Sequence, residues 1–341
     1  MRRLVLAGLI IAVSWSARAE AQPRPAVLHV GTVGVLVDAP FYIGHERGYF
    51  REEGLEVRLT HFASAARIMT PMAAGELQVA GGGVNVGTFN GVARGWPIVM
   101  VTSRSTLVPG HDGNVFMVRQ DLKDRVKSPR DLRGKRFAIN AVGSPLVFML
   151  GRALETEGLV LKDLEILTLS FPHMAGAFQQ KAIDAAIVVE PFVSVVEEQG
   201  LAVSWKTVAD FVRNPYMDVS VLFYNRDWAA GAGETPCRFM VAWMRGVRDY
   251  LKAITPGPAR EEVVKVLVRH AQVRDPKLYD KMRWNFIHPN GYINLRSVED
   301  QQEWYIRKGF LKQRVPLDKL VDHRYLECAL GRIGRVEVRV P

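Results

Sequence analysis

Five short turns in this chain carry the residue types that hold a small solute. The first is Leu36-Val37-Asp38-Ala39-Pro40-Phe41-Tyr42, with Leu36, Asp38, Pro40 and Phe41 as candidate contacts. Pro40 suits an early helical position, where its missing N–H is no loss. Phe41 and Tyr42 are expected to flank a cleft with flat apolar faces. The second turn is Phe62-Ala63-Ser64-Ala65, with Ser64 as helix cap or contact. The third is Gly81-Gly82-Gly83-Val84-Asn85, where Gly82, Gly83 and Asn85 are candidates. Its glycines are expected to leave space for a ligand at the backbone. No Gly-Lys-Ser/Thr follows, and Val86 breaks a G-x-G-x-x-G, so neither nucleotide-binding signature applies. The fourth is Val142-Gly143-Ser144-Pro145, offering Gly143 and Ser144. The fifth is Val189-Glu190-Pro191-Phe192, offering Glu190 and Phe192. A carboxylate closing a buried strand must be paired or must meet a donor. Arg104, directly after a strand expected to end at Thr102, can offer a fork to an acid group; the competing reading is an arginine on a hinge surface. His173 caps a helix or donates to ligand. For every turn the competing reading is plain capping.

Nothing in the spacing argues for chemistry on that solute. No Ser/His/Asp arrangement can be read from it. The eight histidines are scattered without an H-x-x-x-H pair, and C-x-x-C is absent. The expectation is no catalytic residue, no metal and no cofactor. The two cysteines, Cys237 and Cys328, are either a disulfide or two buried thiols.

The turns fall where strands hand over to helices. Val27 to Val35, Leu55 to Thr60, Leu77 to Ala80 and Pro97 to Thr102 read as strands. Helices are expected over Pro40 to Glu53, Ser64 to Ala74 and Val84 to Gly95. The rhythm restarts after residue 115, with strands Arg136 to Asn140, Leu164 to Leu169 and Ala185 to Val189. Helices Ser144 to Glu157 and Met174 to Lys181 lie between them. Such alternation implies α/β lobes, each a mainly parallel sheet flanked by helices. Ligands in such sheets sit beyond the carboxyl ends of the strands, at helix starts with free N–H groups. Beyond Val221 helical patterns dominate, and this tail is expected to pack back on the first lobe. The expected division is a signal peptide at 1–21, one lobe from 27–115 and 221–335, and a second from 116–220.

Composition narrows the class. The chain has 341 residues, 48% hydrophobic and 23% charged, with a formal net charge of +10. Met1-Arg2-Arg3, an apolar run from Leu4 to Trp15, and Ala17-Arg18-Ala19-Glu20-Ala21 have the form of a secretory signal. Cleavage fits after Ala19 or after Ala21; a cut after Ala19 removes Arg2, Arg3 and Arg18, leaving about +7. The mature protein is then expected in the periplasm. The positive charge is spread out, without basic runs and interleaved aromatics, so nucleic-acid binding is a poor reading.

From Ala39 to Val57 the chain reads Ala-Pro-Phe-Tyr-Ile-Gly-His-Glu-Arg-Gly-Tyr-Phe-Arg-Glu-Glu-Gly-Leu-Glu-Val. There it resembles the NMT1/THI5-like periplasmic binding proteins for sulfonates, nitrate and thiamine-pyrimidine precursors. Ala74-Gly75-Glu76-Leu77, Asp131-Leu132-Arg133-Gly134-Lys135, Gly143-Ser144, Asp184-Ala185, Glu190-Pro191 and Asn294-Leu295 extend the resemblance to about residues 27 to 312. It implies the two-lobed type II binding-protein fold, with two crossovers and a ligand in the cleft. It also implies delivery to an ABC permease and ATPase in the inner membrane, by a monomer that is not an enzyme. Three departures stand out. Gln78 replaces the family's usual Asp and Lys181 its usual Gly. The glycine triplet lacks a hydroxyl residue near Gly83, which weighs against a sulfonate or nitrate held there. The implied ligand is a small organic anion or an aromatic or heteroaromatic solute. The alternatives are a ligand-sensing module for a membrane receptor and, below it, a pyrimidine-precursor synthase-like enzyme. The second lacks the cysteine-rich motif that the fungal enzymes of this group use.

Overall fold

The computed structural model describes residues 24–212 and 216–338. The expected signal peptide at 1–21 lies outside the described residues. Ten strands are described: β1 (Ala26–Thr32), β2 (Leu55–His61), β3 (Val79–Gly83), β4 (Ile98–Thr106), β5 (Asn114–Arg119), β6 (Arg136–Ile139), β7 (Glu165–Thr168), β8 (Ala185–Val189), β9 (Ala202–Thr207) and β10 (Asp218–Asn225). They form two five-stranded sheets, ordered β2-β1-β3-β10-β4 and β7-β6-β8-β5-β9. In the first, β1 runs parallel to β2 and β3, and β10 runs antiparallel between β3 and β4. In the second, β6 runs parallel to β7 and β8, and β5 runs antiparallel between β8 and β9. The chain leaves the first sheet after β4, builds the second, and returns as β10. Each crossing thus delivers the one antiparallel strand of the sheet it enters. The mainly parallel sheets, flanking helices and two crossovers are as the sequence implies.

Several boundaries differ from expectation, each for a local reason. The expected helix over Pro40 to Glu53 is two, Ala39–Glu46 and Tyr49–Glu52, because Gly48 between them sits at φ 75°. The strand expected at Leu77 to Ala80 is shifted to Val79–Gly83, so the glycine triplet lies inside β3 rather than in a turn. β4 runs on to Thr106, so Arg104 is a strand residue and does not follow the strand. The polar stretch Thr102 to Thr106 stays in the sheet because its side chains find buried partners. Ser103 and Thr106 both donate to Asp218 Oδ1, at 2.6 and 2.9 Å. Lys181 sits at φ 55°, in the left-handed region its glycine-favoured turn demands.

The tail covers the first sheet. Its helix Thr235–Ala253 lies against Ala39–Glu46, with the rings of Trp243 and Phe41 4.4 Å apart. Gly246 permits that approach, since a Cβ there would meet Pro40 O at 2.5 Å. Cys237 and Cys328 form a disulfide, with Cα atoms 5.8 Å apart, between this helix and Arg324–Ile333. The tail also reaches the second lobe. The helix Leu295–Arg307 sets Trp304 and Tyr305, both fully buried, against Phe148 of the helix Pro145–Glu155.

Candidate functional site

The lobes meet over one cavity of about 70 Å³, room for a few waters or a solute of like size, at 10–15 Å³ for one water. The first sheet supplies Gly83 from β3, Arg104 and Ser105 from β4, and Val219 and Ser220 from β10. Val33, Val35 and Val37, after β1, and Ala65, opening the helix Ala65–Ala73, complete that wall. The second sheet supplies Asn114 from β5, Asn140 after β6, and Val189 and Glu190 at the end of β8. Ser144, Pro145 and Leu146 open one helix there, Phe171 opens another, and Asn285 comes from the tail. Strand ends and helix starts converge from both sides, as open parallel sheets require.

Arg104 is the centre of the first wall. It is 1% exposed and donates through Nη2 to Asp38 Oδ1 at 2.8 Å and through Nη1 to Ser220 Oγ at 2.9 Å. Asp38, fully buried, also accepts from Thr32 Oγ1 at 2.5 Å and Val35 N at 2.9 Å. Ser220 passes its proton on to Gly82 O at 2.8 Å. Burial pulls the Arg104 guanidinium below its ordinary pKa, and Asp38 opposes that shift. The Tyr42 hydroxyl, pushed up by burial and then by Asp38, has no partner within the protein.

The glycine triplet does not leave the space expected of it. A Cβ on Gly81 would lie 2.7 Å from Arg104 Nε, one on Gly82 2.7 Å from Ala65 Cβ, and one on Gly83 2.6 Å from Pro145 Cγ. The room is taken by the guanidinium, by a helix start and by the opposite lobe. Gly143, at φ 85°, faces Val86 in the same manner, with a Cβ 3.0 Å from Val86 Cβ. Two main-chain bonds join the lobes beside these contacts, Val86 N to Gly143 O and Leu36 N to Glu190 O, each 2.9 Å.

Glu190 is 1% exposed. Its carboxylate accepts from Ser194 Oγ and Ser194 N and, at 3.1 Å, from Arg283 N of the tail. Burial pushes its pKa up to about 7, against the bonds from Arg283 N and Ser194 and the nearby charge of Arg283. Three polar atoms of lining residues have no partner among the described residues: Arg104 Nε, Asn140 Oδ1 and Ser144 Oγ. The lining residues include no histidine, cysteine or lysine. Among the described residues no group of three His, Cys, Asp or Glu is placed to hold a metal ion.

Of the residues singled out from sequence, Gly83, Arg104, Ser144 and Glu190 line the cavity. Asp38 stands behind Arg104. Leu36 is buried between two lining valines and contributes its N–H to the lobe contact. Phe192 stacks behind the lining Phe171, 6.1 Å between rings. Ser64 precedes the lining Ala65 without capping the helix through its side chain. Gly82 and Gly143 serve packing. Asn85 caps the helix Val86–Ala93 by accepting from Thr88 N at 3.0 Å. Pro40 and Phe41 are corrected outright: they face the first-lobe core and Trp243, so the aromatic faces expected at the cleft are absent. His173 is corrected too. It pairs with Ser170 Oγ at 2.7 Å on the outer surface of the second lobe. Arg104 is no hinge-surface residue, being buried in mid-strand. Sequence reasoning missed Ser220, Val219 and Asn114, because the strands β5 and β10 were not recognised. Asn140 was within reach: it closes an expected strand, the position where solutes sit.

Comparison with known proteins fits this geometry. The taurine-binding periplasmic protein of Escherichia coli (strain K12) is 27% identical over 160 residues. That alignment spans 45% of this chain, and the chain spans 45% of that relative's length. The fold is similar to that of the alkanesulfonate-binding protein SsuA from Xanthomonas axonopodis pv. citri bound to MOPS. The TM-score is 0.72 at 18% identity, covering 88% of this chain and 99% of that one. It is also similar to the periplasmic nitrate-binding protein NrtA from Synechocystis PCC 6803. There the TM-score is 0.73 at 14% identity, covering 92% and 90%. The sequence model described as NMT1/THI5 like matches residues 37–253, well over half of the chain, and the protein belongs to the NMT1/THI5-like family.

Proposed function

We propose that this protein captures a small organic solute between its lobes, outside the cytoplasm, and delivers it unchanged to an ABC permease and its ATPase. The observation that carries the reading is the set of Arg104 Nε, Asn140 Oδ1 and Ser144 Oγ. The two lobes bring the residues that carry this donor, acceptor and hydroxyl to one small cavity, and among the described residues none of the three atoms has a partner. Buried polar atoms without partners are uncommon in folded proteins and mark places where something else supplies the bond. Most of the remaining lining is apolar, so the solute has an apolar body and one polar head. No hydrogen bond joins a lining serine to Glu190, the one lining carboxylate, so no nucleophile–base pair is assembled there, which supports capture without conversion. The names borne by the relatives support a transport role.

The test is a thermal-shift screen of small solutes on the purified protein. A solute at a hundred times its Kd stabilises by about 2.7 kcal/mol, a shift of several degrees. The solute should be recovered chemically intact. Its consumption would refute the reading, as would undiminished binding after Ser144→Trp fills the cavity.

A further inference from the structure

Arg104 is the one basic residue in the cavity lining, and its charge is already matched. Asp38 lies 2.8 Å away, and the two side chains are 1% and 0% exposed. Thr32 and Val35 hold Asp38 in place from the other side. Gly81, with no side chain, lets the guanidinium lie flat on β3, and Ser220 takes its second terminal nitrogen. Swinging the fork toward a solute would leave Asp38 buried and unpaired, which is strongly unfavourable. Arg104 therefore brings no net charge to the cavity, and its Nε is packed against Gly81.

We infer that Asp38 is a specificity-determining residue: by neutralising Arg104 it makes the cavity select a neutral solute with an N–H donor, such as a carboxamide, over a carboxylate, sulfonate or nitrate. The inference rests on the cavity being the solute site. Three further observations support it. Glu190, the other ionisable lining residue, has no cation partner, and the guanidinium of Arg283 beside it turns to Glu197 at 3.6 Å. An anion would therefore enter a cavity whose formal charge is zero at best, and like charges in a dry site repel strongly. The helix starts at Ala65, Pro145 and Phe171 offer partial positive charge. Pro145 and Pro172, however, remove an N–H from the first turn of two of them. Finally, Asn140 Oδ1 needs a donor. A sulfonate or nitrate has only acceptors and would leave it unpaired, whereas an amide N–H can serve it.

The experiment is calorimetric titration of the full protein with acetamide and acetate, and with propionamide and propionate as the larger pair. The members of each pair match in shape and differ in charge and in the N–H donor. The wild type should bind the amide at least tenfold more tightly than the carboxylate. Asp38→Asn should reverse that order, tightening the carboxylate at least tenfold. The charge-conserving double variant Asp38→Asn with Arg104→Gln, which leaves no buried ion unpaired, should restore the amide preference. Equal or tighter carboxylate binding by the wild type, or an unchanged ratio in Asp38→Asn, overturns the inference and leaves the cavity standing as the site. Binding of either probe that survives Ser144→Trp overturns the cavity reading, and this inference with it.

Discussion

The two walls of the cavity are built on opposite principles. The first-lobe wall is largely closed on itself: Thr32, Asp38, Arg104 and Ser220 bond to one another in a chain that ends on Gly82 O, and Arg104 Nε alone of that chain is left over. The second-lobe wall is open. Among the described residues Ser144 Oγ and Asn140 Oδ1 have no partner, and Glu190 is a buried carboxylate held by the Ser194 hydroxyl and two main-chain amides. One wall is rigid before any solute arrives, and the other gains its missing bonds from the solute. Preorganisation of this kind lets one side set geometry while the other side gains affinity.

The sharpest way to break that contrast is to cut the first wall. Arg104→Met leaves Asp38 buried with no cation, and removing one member of such a pair typically destabilises by about 3–5 kcal/mol. Urea unfolding should show a midpoint far below that of the wild type. A loss under about 1 kcal/mol would mean that the wall is not a closed ionic unit.

The second wall should respond to pH instead. Burial lifts Glu190 to about 7 from an ordinary 4.5. Its folded-state pKa is raised, so its contribution to stability is complete below pH 4.5 and is lost as pH rises through 7. The loss is about 3 kcal/mol across that window. Asp112 and Asp218, each raised to about 6 by burial, act in the same direction. Asp184, held near 2 by Arg136 and Arg119 against its own burial, acts the other way and only below about pH 4. The imidazoles of His288 and His323, pulled down by burial, oppose this trend, but three raised carboxylates outweigh two histidines, and unfolding free energies should be larger at pH 5 than at pH 8. Glu190→Gln should remove part of that slope, and an unchanged slope would show that Glu190 does not titrate in this range.

The smallest effect is expected at Ser144. Its hydroxyl makes no bond within the protein, so Ser144→Ala should leave stability within about 0.5 kcal/mol. It should weaken solute binding by about 1 kcal/mol, or roughly fivefold. Lost stability with unchanged affinity would place Ser144 among the capping residues instead.

What the sequence disclosed follows the same division. The alternation of strands and helices was legible because each strand is short, apolar and closed by a turn residue. β10 was not, because all eight of its residues are buried and no alternation marks it. Asn140, Ser144 and Glu190 stand at strand ends or helix starts, where local rules point. The role of Arg104 depends on Asp38 and Ser220, 66 and 116 positions away. The polar run from Thr102 to Thr106 looks like a loop until Asp218, more than a hundred positions on, is known to lie beside it. Phe41 resembled a cleft residue for the same reason: its true partner, Trp243, comes from the distant tail. Cys237 and Cys328 were undecided because their meeting depends on how two tail helices cross.

The contacts of Gly83 with Pro145 and of Val86 with Gly143 carry a consequence for solute length. Each lobe presents one bare position and one projecting side chain, so the halves register at two points, like dowels in a joint. A molecule slightly too long cannot be met by a slightly wider gap, because both dowels disengage together, along with the main-chain bond from Val86 to Gly143. Discrimination against oversized molecules should therefore be abrupt rather than graded, falling away within the addition of a single methylene.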